Sequence, residues 1–418
     1  MKRKILLVPL VLLLIASLVA CAAPAPAPAP APTPAPMPAP TPAPEVEKET
    51  PPMTVEEGKE LDIESWEIGE NWTYSQEAIW GDVVTGWEIE WQRGEIVKQY
   101  IATYNLRSRE KGQVVELSVD RIAYDAPAIH GNRVVWASVD RDEAEQQRSL
   151  KRAPLPNWDV FLLDLKTGEV QQLTTEEHAQ VYPGIYGDTV VWLDNRHEEG
   201  YHNPRRYDVY AYNLSTGEER RLTSATSAEG RDLSISGNLV VWTDNRHADP
   251  EVNSHPENDP EYNNEIYVYD LTTNQEKRIT TYPGNDRYPD ISGSNIVWLR
   301  QEDYIRANVF VYNMETGRES QVSESRFADF QPSIHEGRIV WVDARVSQGN
   351  TSGDTVINGR QGQTDIYLYD LETRQETKLT STVPGQVLYN PVIHGDSVVY
   401  VWVSMIKSIV YGMNLGYK

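Results

Sequence analysis

Seven times along the chain, a glycine is followed within two to four residues by an apolar run that ends near an aromatic residue. These are Gly81, Gly131, Gly187, Gly237, Gly293, Gly337 and Gly395. The intervals are 50, 56, 50, 56, 44 and 58 residues, a mean of about 52. A period of that length belongs to propellers and solenoids, whose units stack on neighbours instead of sharing one central core. Each interval repeats the same events. An apolar residue and the glycine turn come first (Ile129-His130-Gly131, Ile393-His394-Gly395), then a strand such as Val190-Val191-Trp192. After a loop of variable length comes an alternating strand, Asp208 to Leu214 or Asp365 to Leu371. A tight turn such as Thr216-Gly217-Glu218 then leads to a short strand ending Leu222-Thr223 or Ile279-Thr280.

Four short strands per repeat, with period-two alternation in the third, predict an all-β chain of four-stranded antiparallel blades. No stretch carries a sustained helical period, and 23 Tyr and 12 Trp suit strands. After Gly395 the chain supplies two further strands but not a last one, while Leu61 to Trp66 precedes the first glycine turn without a blade of its own. Joining the two ends completes a blade and removes two exposed sheet edges. The expected fold is therefore a seven-bladed β-propeller closed by pairing of N- and C-terminal strands. Six blades is the alternative if the unit from Gly81 to Ser118 is degenerate. A tryptophan at one fixed place (Trp136, Trp192, Trp242, Trp298, Trp341) is expected to pack between blades.

Strings such as Glu265-Ile266-Tyr267-Val268-Tyr269-Asp270-Leu271 followed by Lys277-Arg278-Ile279-Thr280 resemble the propeller of the TolB-like and related WD-type repeat families. The resemblance implies the fold and is poor for function. The α/β domain that precedes the propeller in TolB is missing, so a role in the Tol-Pal system is not carried over.

The first residues read as an address. Lys2, Arg3 and Lys4 precede an apolar run from Ile5 through Val19, the pattern of a secretory signal. Leu18-Val19-Ala20-Cys21 resembles the lipobox of bacterial lipoproteins, which implies cleavage before Cys21, diacylglycerol on its thiol and a membrane lipid as partner. Loss of the three basic residues moves the formal charge from −24 to −27. Residues 22–44 alternate Ala and Pro, a polyproline-type spacer of about 3.1 Å per residue that can build no core. The expected organisation is a signal peptide over 1–20, a lipidated tether over 21–52 and the propeller over 53–418. The expected location is the cell envelope, outside the cytoplasm.

The loops after the second strand are long and irregular, whereas the turns at the opposite rim are tight. One face is therefore expected to be plain and the other to bind. The long loops open on a recurring acid-base pattern: Asp140-Arg141, Asp194 with Arg196 and His197, Asp244 with Arg246 and His247, and Asp343 with Arg345. Hydrogen bonds and ion pairs that fix the loop root are one reading, and a ring of charge that selects a ligand is the other. His197 and His247 could hold a transition metal. Glu257, Asp259, Glu261 and Glu265 offer oxygen ligands for calcium without a calcium-loop pattern, so solvated loop charge is the preferred reading. His130, His335 and His394 share the turn position and read as structural.

So acidic a chain repels phosphate backbones, which excludes nucleic acid. A single Cys excludes multi-cysteine metal sites. No nucleophile elbow, zinc-protease helix or phosphate loop is present. The expected function is a monomeric, anchored binding or scaffold module for a protein, peptide or cell-wall glycan, without a cofactor. The alternative is a polysaccharide lyase or hydrolase with a His-bound metal.

Overall fold

The computed structural model describes residues 62–416 except for 71, 74–77, 93–94, 119, 124–126, 149–155, 198–206, 225–227, 248–263, 283, 303–305, 325–328, 345–363, 384–385 and 404–407. It is an all-β propeller of seven sheets, numbered here as blades 1 to 7 from residues 72–116 onward. Blade 7 is made from both chain ends. Its order is Asp62–Glu70, Ser408–Gly416, Ser397–Val403 and Val387–His394, from outside inward. Asp62 stands opposite Gly416 and Glu70 opposite Ile409, so the first strand runs antiparallel along nearly the whole last one. The unit from Gly81 to Ser118 is a full blade. Its long second and third strands, Val83–Gln92 and Glu95–Asn105, resolve the choice in favour of seven.

Burial follows position in the blade. Second strands such as Val190-Val191-Trp192-Leu193 are sandwiched between neighbouring blades and are buried on both faces, which is why they read as continuous apolar runs. The tryptophans expected between blades are there. Trp192 packs with Val135 and Val160 of blade 2, Trp242 with Val191 and Val209 of blade 3, and Trp341 with Val297 and Val309 of blade 5. Outermost strands such as Glu218–Arg221 and Gln275–Arg278 are exposed and charged, which discourages pairing with another chain.

The hydroxyl of the recurrent Leu-Thr ending has a physical role. Thr174, Thr223, Thr280 and Thr380 each accept a hydrogen bond from the second amide of the third strand, at 2.8 to 2.9 Å, while that residue's carbonyl accepts from the amide just before the threonine at 2.8 Å. Ser323 does the same for Val309 in blade 5. The turn glycines adopt positive φ, 58° at Gly187 and 56° at Gly395, a region costly for any residue with a Cβ.

Two features differ from the sequence reading. Residues Arg141–Arg148 form an α-helix at the start of the blade 2 loop. Glu265 is also no solvated loop charge. It begins a strand, is buried and pairs with Arg278. Glu257, Asp259 and Glu261 lie outside the described residues, as do Cys21 and Arg345.

Candidate functional site

At the long-loop rim, blades 3 and 4 carry the same construction. Asp194, wholly buried, accepts from Trp192 Nε1 at 3.0 Å, from the Arg196 amide at 2.9 Å and from Arg196 Nη2 at 2.6 Å. The guanidinium lies 4.5 Å over the Tyr210 ring and reaches Glu219 at 2.9 Å. In blade 4, Asp244, Trp242, Arg246, Tyr267 and Glu276 repeat these contacts, with the guanidinium 4.6 Å over the ring. Burial raises the Tyr210 phenol to about 12 and pushes the Glu276 carboxyl up against the pull of Arg246. The Asp and Arg of the sequence pattern thus root the loop within their own blade.

Blades 2 and 5 place a guanidinium over the same ring by another route. Arg300 occupies the strand position of Asp194 and Asp244, two residues after its tryptophan. It lies 4.3 Å over Phe310, flanked by Asp286 at 2.8 Å and Glu319 at 2.7 Å. Asp286 is buried, which pushes its carboxyl up against the pull of Arg300. In blade 2 the cation is Arg121 of the innermost strand, 4.6 Å over Phe161 and 3.0 Å from Asp159. Asp140 and Arg141 therefore do not form the blade 2 member of the series. Asp140 instead caps the helix, accepting from the amides of Asp142 and Glu143 at 3.0 and 3.2 Å.

Asp343 of blade 6 is fully buried beside Ala344. His197 and His247 are exposed, with ring centroids 6.4 and 6.3 Å from Tyr210 and Tyr267 of their own blades. Among the described residues, no three His, Cys, Asp or Glu side chains are grouped to hold a metal ion.

The tight-turn face, expected to be plain, carries a cavity of about 1050 Å³ at the channel mouth. Its rim includes the residues that close the innermost strands: Trp80, His130, Tyr186, Ser236, Ser292, His335 and His394, in blade order. Several are latches to the next blade. His335 Nδ1 accepts from Gly395 N at 3.0 Å and His394 Nδ1 from Gly81 N at 3.1 Å. Ser236 Oγ accepts from Gly293 N at 3.2 Å, and Ser292 Oγ from Glu336 N at 3.0 Å. Below them, buried Asp290 joins three blades, accepting from Ser234 Oγ and from the amides of Ile291 and Ile334, each at 2.9 Å.

The rings at this mouth touch. Trp80 lies 3.7 Å from His130 and 4.9 Å from His394, and His394 lies 3.9 Å from His335. Burial lowers His394 to about 4, helped by its imidazole neighbours His335 and His130. Burial also lowers His335 and His130. The Nε2 atoms of His130 and His394 are buried without a hydrogen-bond partner. Sequence reading placed these histidines correctly at a turn. It could not show that residues one blade apart converge on an axis.

Solved structures share the architecture. The β-propeller domain of the Trilobed protease from Pyrococcus furiosus aligns with a TM-score of 0.56 at 11% identity, covering 83% of this chain and 96% of that one. One of two prolyl endopeptidases analysed for inter-domain dynamics aligns at 0.53 and 11% identity, covering 86% of this chain and 50% of its own. TolB from Acinetobacter baumannii is more distant, at 0.38 and 14% identity, with 80% of each chain covered. At such identities the likeness shows the propeller fold alone. No protein-family model and no curated relative matches the chain.

Proposed function

We propose that this protein is a lipid-anchored, extracytoplasmic binding or scaffold module that presents its long-loop rim to a protein, peptide or cell-wall glycan. The observation that carries this reading is the rooting of the loops. Asp194 with Arg196 and Asp244 with Arg246 fix adjacent loop starts through buried charge-assisted hydrogen bonds on a closed ring. A rigid base that carries long variable loops suits recognition. The lipobox-like Leu18-Val19-Ala20-Cys21 and the Ala-Pro spacer support the anchor and the location.

The arginines serve the scaffold, so their removal would confound a binding test. His197 and His247 stand exposed beside the same roots and are the better probes. The chain from residue 21, made soluble by Cys21→Ser, is used to capture envelope proteins and peptidoglycan fragments. His197→Ala with His247→Ala should weaken capture at an unchanged unfolding midpoint. Capture that survives this pair and also a Gly-Ser replacement of 248–263 removes the face assignment.

A further inference from the structure

We infer that the channel mouth on the tight-turn face binds a neutral saccharide, a site separate from the loop rim of the proposed function. The rim residues are not evenly distributed around the axis. Five consecutive positions carry rings (His335, His394, Trp80, His130 and Tyr186), and the remaining two carry only the hydroxymethyl groups of Ser236 and Ser292. Trp80 meets not only its neighbours in blades 2 and 7 but also Tyr186, two blades away, at 6.2 Å in an edge-on contact. The rings thus fill one side of the mouth and leave the serine side open.

The two sides offer different chemistry. Ser236 and Ser292 accept the next blade's amides, which leaves each hydroxyl proton to be donated. Asn238 and Ser294 stand beside them in the lining. A purely apolar guest would leave these polar groups unsatisfied on burial, whereas a guest with one apolar face and peripheral hydroxyls would satisfy both walls. A pyranose is such a body, and amphipathic aromatic rings are suited to its C–H face.

Charge narrows the class. Among the described lining residues there is no Lys or Arg, while Asp270 and Glu336 supply carboxylates. A uronate, a phosphate or a peptide carboxylate would meet repulsion from these groups, and the cations nearest the histidines, Arg133 and Arg338, are already paired with Asp188 and Asp396. A neutral sugar carries no such penalty.

The test titrates the full chain in detergent, by calorimetry, with cellohexaose, maltohexaose, mannohexaose and chitohexaose, and with hexagalacturonate as the charged comparison. At least one neutral oligomer should bind saturably, and at least about tenfold more tightly than hexagalacturonate. Asn238→Trp narrows the open side and leaves the blade latches in place, so it should weaken binding at least about tenfold. Trp80→Ala should do the same where its unfolding midpoint shows a folded ring. No saturable neutral ligand at millimolar concentration, preference for hexagalacturonate, or unchanged binding by Asn238→Trp would each overturn the inference. Envelope capture through the loop rim should be unaffected by Asn238→Trp, which separates failure here from failure there.

Discussion

Gly81 donates its backbone N–H to His394 Nδ1 at 3.1 Å across 313 residues of sequence. The bond ties blade 1 to blade 7 at the channel mouth, and His335 ties blade 6 to blade 7 in the same way through Gly395. An imidazole that accepts at Nδ1 holds its single proton on Nε2. A second proton removes the acceptor and places charge beside a neighbouring imidazole 3.9 Å away.

Acid should therefore loosen this junction. His394 sits near 4 in the folded ring against an ordinary value of 6.5, so between those limits the unfolded chain binds more protons. The stabilisation is complete above about pH 6.5 and is lost as pH falls toward 4. It amounts to on the order of 1 to 2 kcal/mol once solvent screening is allowed for. Glu336 and Arg338 face His335, and Arg133 faces His130, but none of them is shared with His394. His394→Gln keeps an acceptor without titrating, so its unfolding midpoint should fall less steeply over that range. Parallel curves for the two proteins would remove the latch from the explanation.

Closure of blade 7 depends on close packing of the first strand. A Cβ at Gly412 would come within 3.0 Å of the Trp66 ring and of Leu106 Cδ2. Gly412→Val should cost about 1 to 3 kcal/mol through overpacking. Equilibrium denaturation in urea measures it, and a change within error would mean that the first strand contributes little to stability.

Arg300 is 8% exposed in its side chain and held between Asp286 and Glu319. Asp286→Ala leaves the buried guanidinium short of its main partner and should cost about 3 to 5 kcal/mol. Adding Arg300→Met to that variant removes the stranded charge and should recover much of the loss. Thermal unfolding of the two variants decides the matter. A double variant as unstable as the single one would show that packing, and not charge, is what the pair supplies.

Cys21→Ser tests the anchor. Cells fed an alkyne fatty acid should label the parent chain and not the variant, and the variant should leave the membrane fraction. Equal labelling of both would rule out a lipid at this residue.

The ring itself was legible because its turn needs positive φ, and glycine marks that need at seven places along the chain. Closure was legible from strand counting at the two ends. The guanidinium series was only half legible. Arg196 and Arg246 follow a local pattern, whereas Arg121 and Arg300 reach the equivalent ring from other strands or positions, an equivalence that exists only in space. The pattern-matched Asp140 went to the helix instead. Asp140-Arg141-Asp142-Glu143 has the spacing of a capping box, a signal that sequence reading could have used. The channel mouth was hidden because its side chains lie 43 to 59 residues apart in sequence and meet only once the circle is complete.

The strand Asp62–Glu70 is both the outer edge of blade 7 and the first described segment after the Ala-Pro spacer. Any force arriving through that spacer is delivered to the fastener of the ring rather than to a bystander loop. Tension should therefore unzip the toroid at the seam where it was joined, and a pulling experiment with a handle ahead of Asp62 would register blade 7 rupturing before any other.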